Sequence, residues 1–194
     1  MKGAIYCKEL YMCMNYIMID MLGGMRMELR QLVAEDASAY WELRLEALKT
    51  SPEAFGTSYE EAMQRDNPIE RVKGNLSVKG NYTFGAFDQS KLVGMVTLAQ
   101  ESNLKMKHRA NIFAMYVSPI GRGQGTGKAL MRLAIKQARE SREIEKINLS
   151  VVTSNEAAKN LYHQLGFKVF GTEDMALKVE DTYYGEHHMS LLLN

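Results

Sequence analysis

Four glycines at every second position, Gly121, Gly123, Gly125 and Gly127, alternate with Arg122, Gln124 and Thr126. They follow an apolar, β-prone run, Ile112, Phe113, Met115, Tyr116 and Val117, that breaks at Ser118-Pro119. From Lys128 the pattern turns helical, with Leu130, Leu133, Ala134 and Ala138 recurring on one face. A glycine-rich turn entering a helix N-terminus leaves several backbone N–H groups without intrahelical partners. The helix dipole adds partial positive charge at the same place. The chemistry this predicts is anion binding, with phosphate the usual occupant. Two familiar phosphate loops do not fit. A Walker A loop needs Gly at 122 and Ser or Thr at 129, where the chain has Arg122 and Ala129. The dinucleotide fingerprint needs a third glycine where Thr126, Lys128 or Leu130 stands, depending on the frame.

What remains is Arg122-x-x-Gly125-x-Gly127 directly after a strand. It resembles the pyrophosphate-binding motif of the GNAT acetyltransferase superfamily, R/Q-x-x-G-x-G/A. A plain glycine-rich strand-to-helix turn is the other reading of this stretch taken alone. A second segment, Ser154–Phe167 (SNEAAKNLYHQLGF), resembles the superfamily's other signature, N-x-x-A-x-x-L-Y-x-x-L-G-F, at every fixed position. Thr153 or Ser154 is a plausible N-cap there, and Thr153-x-x-Glu156 fits a capping box. Gly166 suits the residue just past the helix end. Asn155 and Tyr162, two turns apart, fall nearly on one face. The two signatures come in the superfamily's order, with a strand-like run, Ile147–Val152, between them.

The resemblance implies a site. Met115, Tyr116 and Val117 would offer backbone N–H and C=O groups to the pantetheine arm of acetyl-CoA, as an added strand does. A strand N–H of the same run would face the developing oxyanion. Gly123, Gln124, Gly125, Thr126, Gly127 and Lys128 would wrap the pyrophosphate. Arg122 either contacts phosphate or fixes the loop, and Lys128 either adds charge there or is a solvated helix lysine. Asn155 would bind the pantetheine arm or, more simply, cap its helix. Tyr162 would be the general acid that protonates the departing thiolate, with a core tyrosine as the plainer reading. Tyr184 is the next choice. No cysteine occurs from Met27 onward, so direct transfer in a ternary complex is expected rather than a covalent intermediate. In the branch that modifies protein N-termini, a Glu often stands five residues before the motif Asn. Here that residue is Ser150, which puts that substrate class in doubt. The base is left among Glu101, His108, Glu186, His187 and His188. The Glu186-His187-His188 run could suggest a metal, but neighbours on a strand face opposite ways, so no metal site is expected.

The implied function is an acetyl-CoA-dependent N-acetyltransferase acting on a primary amine of a metabolite or protein. The alternative is a GNAT-fold module that binds acyl-CoA without turnover. The resemblance also makes a homodimer through the C-terminal strands an open expectation.

The positioning elements follow from periodicity. Glu28–Val33 suits a first strand, and Asp36 would cap a helix to about Leu48. Thr57-x-x-Glu60 would open a second helix, broken near Pro68. Tyr82–Phe87, Leu92–Gln100 and Arg109–Val117 alternate as antiparallel strands. Lys168–Phe170, Met175–Val179 and His187–Leu193 would close the sheet. The expected class is α/β (α+β), a GNAT fold with a mixed central sheet of about seven strands flanked by about four helices on both faces.

Composition agrees. A chain of 194 residues, 46% hydrophobic and 24% charged, suits a single core. Lys and Arg total 24 against 23 acids, without the basic patches of nucleic-acid binders. Residues 1–26 differ. Seven of the 14 methionines lie within Met1–Met27, and both cysteines are Cys7 and Cys13. The segment is too interrupted for a membrane span and lacks a signal-peptide pattern. It is expected to be an N-terminal extension, either an upstream addition or an amphipathic docking helix, ahead of an acetyltransferase domain over 27–194. Two closely spaced thiols are no disulfide framework, which points to a reducing, cytoplasmic setting.

Overall fold

The computed structural model describes residues 16–20 and 26–193. An eight-stranded sheet runs in the order β1-β2-β3-β4-β5-β6-β8-β7. Its strands are β1 (Tyr16–Asp20), β2 (Arg26–Gln31), β3 (Asn81–Asp88), β4 (Lys91–Gln100), β5 (Arg109–Val117), β6 (Lys146–Val152), β7 (Lys168–Val179) and β8 (Thr182–Leu192). All neighbours are antiparallel except β5 and β6. The sheet is therefore mixed, with seven strands from Arg26 onward. β1 comes from the expected extension and pairs with β2 from Tyr16↔Arg30 to Asp20↔Arg26. The rest of that extension lies outside the described residues.

Helices cover both faces. α1 (Ala37–Thr50), α2 (Tyr59–Met63) and α3 (Pro68–Leu76) belong to one side, and α4 (Thr126–Glu140) and α5 (Glu156–Gln164) to the other. α4 buries Leu130, Ala134 and Ala138 of the expected stripe together with Met131 and Ile135, while Leu133 is only partly buried. Each large apolar member contributes about 1.5–3 kcal/mol by leaving water. Opposite them stand Ile112, Ile147, Leu149 and Val151 of the sheet. On the other face Leu43 and Ala47 of α1 meet Met95 and Tyr116. No helix among the described residues is long and apolar enough to cross a membrane.

Several local expectations shift. The capping box that opens α2 is Ser58–Glu61, one residue after the expected Thr57–Glu60. Pro68 begins α3 instead of only ending the preceding helix, because its missing N–H costs nothing at the first turn. Asp36 precedes α1 but does not cap it with its side chain. Its carboxylate takes two bonds from Arg30, at 2.6 and 2.7 Å, and one from the Val33 N–H at 2.9 Å. The Arg30 bonds foremost, with the Val33 N–H, hold its pKa below the usual carboxylate range against the opposing effect of burial. At α5 the cap is Asn155, which accepts from the Ala158 N–H at 3.0 Å, and neither Thr153 nor Ser154. β7 is one long strand, with register irregularities between Val169 and Gly171 and between Glu173 and Leu177, where two short strands were expected.

Candidate active site

The site is an opening in the sheet. β5 and β6 pair only through Arg109↔Lys146, Ala110↔Ile147 and Asn111↔Asn148. Beyond Asn111 the two strands are no longer partners. β5 also bulges: the pairing with β4 passes from Thr97↔Phe113 to Met95↔Tyr116, and Ala114 takes φ +50°. An extra residue in one strand re-aims the following side chains and backbone groups. No composition signal at Ala114 announces this, since alanine has no preference for that conformation.

One cleft of 1490 Å³ runs through the opening, from the glycine loop to the sheet face beneath α1. Of the residues expected to hold the cofactor, Met115, Tyr116, Val117, Arg122, Gly123, Gly125, Thr126, Gly127, Lys128 and Asn155 all line it. Gln124 is not a lining residue; its amide nitrogen lies 3.4 Å from the Ile120 carbonyl.

The loop is held by its own polar side chains. Arg122 donates from Nε to the Val117 carbonyl at 2.9 Å, so it ties the loop to the strand end. Thr126 is buried and donates to the Gly121 carbonyl at 2.8 Å. Lys128 reaches Gln164 at 3.1 Å across to α5. Gly123 and Gly125 adopt φ +75° and +82°, which side-chain-bearing residues rarely enter. A Cβ at either would meet no protein atom within 4 Å. The left-handed glycine turn therefore borders open space, with the N-terminal N–H groups of α4 alongside. This is the cradle a pyrophosphate needs. Gly127 differs, because a Cβ there would come within 3.1 Å of the Met115 methyl.

Tyr162 lines the cleft and is 6% exposed, with its ring 6.0 Å from that of Phe167. Burial pushes its phenol up to about 12. It is thus a packed core tyrosine and a cleft residue at once. Tyr184, the second choice, does not line the cleft.

Among the candidate bases, only Glu186 and His188 line the cleft. Glu101 accepts from the Asn111 amide at 2.8 Å, and His187 turns to Thr172 at 2.8 Å. His188 lies with Nδ1 2.9 Å from the Ser150 hydroxyl and Nε2 3.3 Å from the Glu173 carboxylate. The register Ser150↔His188 and Glu173↔Glu186 puts these groups on neighbouring strands. Burial foremost, together with Glu173, raises the Glu186 carboxyl, while His188 works the other way. Asn148, on the same face as Ser150, is 8% exposed and lines the cleft. Ser150 entered the sequence reading only as a missing glutamate, and Asn148 and Glu173 not at all. The alternation Asn148, Ser150 between Ile147, Leu149 and Val151 was the available signal for a polar face.

Residues 39–167 match the family model described as Acetyltransferase (GNAT) family. The chain is 34% identical over 101 residues to human N-acetyltransferase 8, a stretch covering 52% of this chain and 44% of that protein. It thus spans less than half the length of that relative. Its backbone is similar to a GNAT-family acetyltransferase of Streptococcus pneumoniae (TM-score 0.74, 20% identity, 86% of this chain and 99% of the other). It is also similar to yncA of Salmonella typhimurium, solved with its cofactor acetyl-CoA (TM-score 0.75, 19% identity, 87% and 94% covered). At those identities the likeness speaks for the fold. Acetyl-CoA is the acetyl donor of this family, and the glycine cradle fits it. The split sheet, the loop and the family match lead to one conclusion: the chain belongs to the GNAT acetyltransferase family.

Proposed function

We propose that the protein is an N-acetyltransferase that moves an acetyl group from acetyl-CoA directly to a primary amine. The observation that carries this reading is continuity. One cleft joins the glycine loop, Tyr162 and the Ser150–His188 pair through the gap between β5 and β6. A donor and an acceptor can therefore meet without a covalent enzyme intermediate.

Acetyl-CoA supplies an acetyl carbon activated as a thioester. The backbone N–H groups of Gly123–Lys128 hold the pyrophosphate, and the unpaired edge of β5 at Met115–Val117 takes the pantetheine arm as an added strand. The Asn155 oxygen is used by the Ala158 N–H, so its NH₂ is the group left to donate to that arm. Capping and binding are then two uses of one side chain. The acceptor amine loses its proton to the Ser150 hydroxyl, which passes its own to His188 Nδ1. Glu173, facing Nε2, stabilises the charge that forms. As the C–N bond forms and the C–S bond breaks, the Tyr162 hydroxyl gives its proton to the departing sulfur and is later reprotonated from water. A phenol raised to about 12 stays protonated across the working pH range. The cytoplasmic setting belongs to the same proposal and rests on the two cysteines, Cys7 and Cys13.

Free-thiol release from acetyl-CoA across a panel of primary amines tests the reading. Release that depends on the amine, with the acetylated amine found by mass spectrometry, is expected. Binding of acetyl-CoA without release for any amine would make the protein a binding module instead.

A further inference from the structure

Most of the buried polar side-chain atoms left without partners belong to residues that line the cleft. Among the described residues, the buried side-chain atoms without a hydrogen bond are Arg44 Nη1, Arg109 Nε, Gln124 Oε1 and both polar atoms of Asn148. Arg44, Arg109 and Asn148 all line the cleft. They come from α1, β5 and β6, three elements far apart in sequence. Buried polar groups normally find partners, so orphans that converge on one cleft call for a ligand that supplies them.

Charge narrows the ligand. Arg44 stacks on the Phe55 ring at 4.4 Å and has Arg65 as a neighbouring like charge. Burial pulls its pKa below the usual guanidinium value, and Arg65 adds to that. The hydrogen bond of Arg65 is a long one, 3.4 Å to the Thr57 hydroxyl. Among the described residues no carboxylate lies within 4.0 Å of Arg44, Arg65 or Arg109. Glu46, two residues from Arg44 on α1, accepts instead from the Tyr116 hydroxyl at 3.0 Å. One guanidinium stacked on an aromatic ring, with a second cation as its neighbour, forms a seat for a planar anion, and a carboxylate suits a guanidinium fork. The pyrophosphate cradle is built elsewhere, at the glycine loop, so this seat is left for the acceptor.

We propose that the acceptor is a small amine that carries a carboxylate, an amino-acid-type molecule, with its carboxylate held by Arg44 and Arg65 and its amine at Ser150. The proposal rests on the acetyltransferase reading above and adds the substrate class. Phe55 and Phe113, both lining the cleft, give the rest of the molecule an apolar wall.

The test compares matched acceptors: α-, β- and ω-amino acids, their amides, and the corresponding decarboxylated amines. Each is assayed by thiol release with the full-length protein. The acids are expected to exceed their amides and amines in kcat/KM by about tenfold or more, the scale of one charge-assisted bond. Arg44→Gln should erase that preference by raising KM for the acids, with acetyl-CoA affinity unchanged, and Arg44→Lys should keep part of it. Arg65→Gln, at the more exposed position, serves should Arg44→Gln lower the melting temperature. Amides or amines used as well as the acids would overturn the proposal, as would a preference that survives both glutamine variants. If acetyl-CoA binds but nothing is acetylated, the transfer reading fails. The carboxylate seat is then judged by titrating the same amino acids into the CoA-loaded protein. Saturable binding lost in Arg44→Gln upholds it, and no binding overturns it.

Discussion

The glycine loop of residues 121–127 and the face that carries Arg44, Ser150 and His188 share one cleft, yet they are assembled differently. At the loop the groups proposed to recognise the donor are backbone N–H groups of one continuous segment. Its side chains are spent inward, Arg122 on the Val117 carbonyl and Thr126 on the Gly121 carbonyl. At the other face the groups are side chains from α1, β5, β6, β7 and β8, and several buried polar atoms there have no partner. A diphosphate is the same in every family member's donor, so a backbone device serves it. An acceptor varies, and side chains are what a fold can exchange without moving its backbone. The difference predicts that damage at the loop removes donor binding, whereas damage at the face changes acceptor use alone.

The largest effect should follow from the loop. Gly125→Val forces a β-branched residue to φ +82° and places its side chain in the open space beside the α4 N-terminus. Acetyl-CoA affinity should fall by about 2–5 kcal/mol, the loss of two or three charge-assisted bonds. Unchanged affinity by calorimetry in a folded variant would end the comparison at its donor side.

Tyr162 stands between the two regions. Tyr162→Phe should lower kcat by ~10²–10³-fold, equally in kcat and in kcat/KM for the amine, with acetyl-CoA affinity retained. A near-normal rate, with chemistry shown to be limiting, would return Tyr162 to a packing role beside Phe167.

On the acceptor side, His188→Gln should slow turnover by ~10–10²-fold. Ser150→Ala should do nearly the same, and the double variant should add little, because the two act in one relay. Additive losses would break the relay while leaving each residue a place in the cleft.

The smallest effect concerns the anchoring of α1, which carries Arg44. Asp36→Asn removes the charged partner of Arg30 and should cost about 2 kcal/mol of stability. Because the Asp36 pKa is lowered on folding, the stabilisation is complete above the ordinary Asp value of ~3.9. It is lost as pH falls through the folded value. Melting temperatures of the two proteins should therefore differ near neutrality and begin to converge only as pH falls below about 4. A gap that persists in acid would mean that the pair does not act through its charge. KM for the amine should rise in Asp36→Asn more than acetyl-CoA affinity falls.

The glycine loop and the helices α4 and α5 could be read from the chain before any fold was known. Alternating glycines, the α4 stripe from Leu130 to Ala138 and the run from Asn155 to Gly166 are local patterns. Backbone dihedrals, helix caps and hydrophobic periodicity are set by residues within a few positions of one another, so the sequence determines them directly. Caps were less secure. Ser58 and Asn155 took positions that Thr57 and Thr153 could equally have filled, because neighbouring hydroxyl and amide side chains compete for the same N–H groups.

Tertiary structure alone decided which side chains share the rest of the cleft. His188 meets Ser150 only because β8 inserts between β6 and β7, and Arg44 reaches the cleft only because α1 lies over the face that β5 and β6 leave open. The opening itself depends on where their pairing stops, at Asn111↔Asn148, and on the bulge at Ala114. No short-range preference encodes a pairing that ends, or a contact between residues tens of positions apart. Those follow from how the whole sheet packs between its two layers of helices, and that packing left two of five candidate bases, Glu186 and His188, lining the cleft.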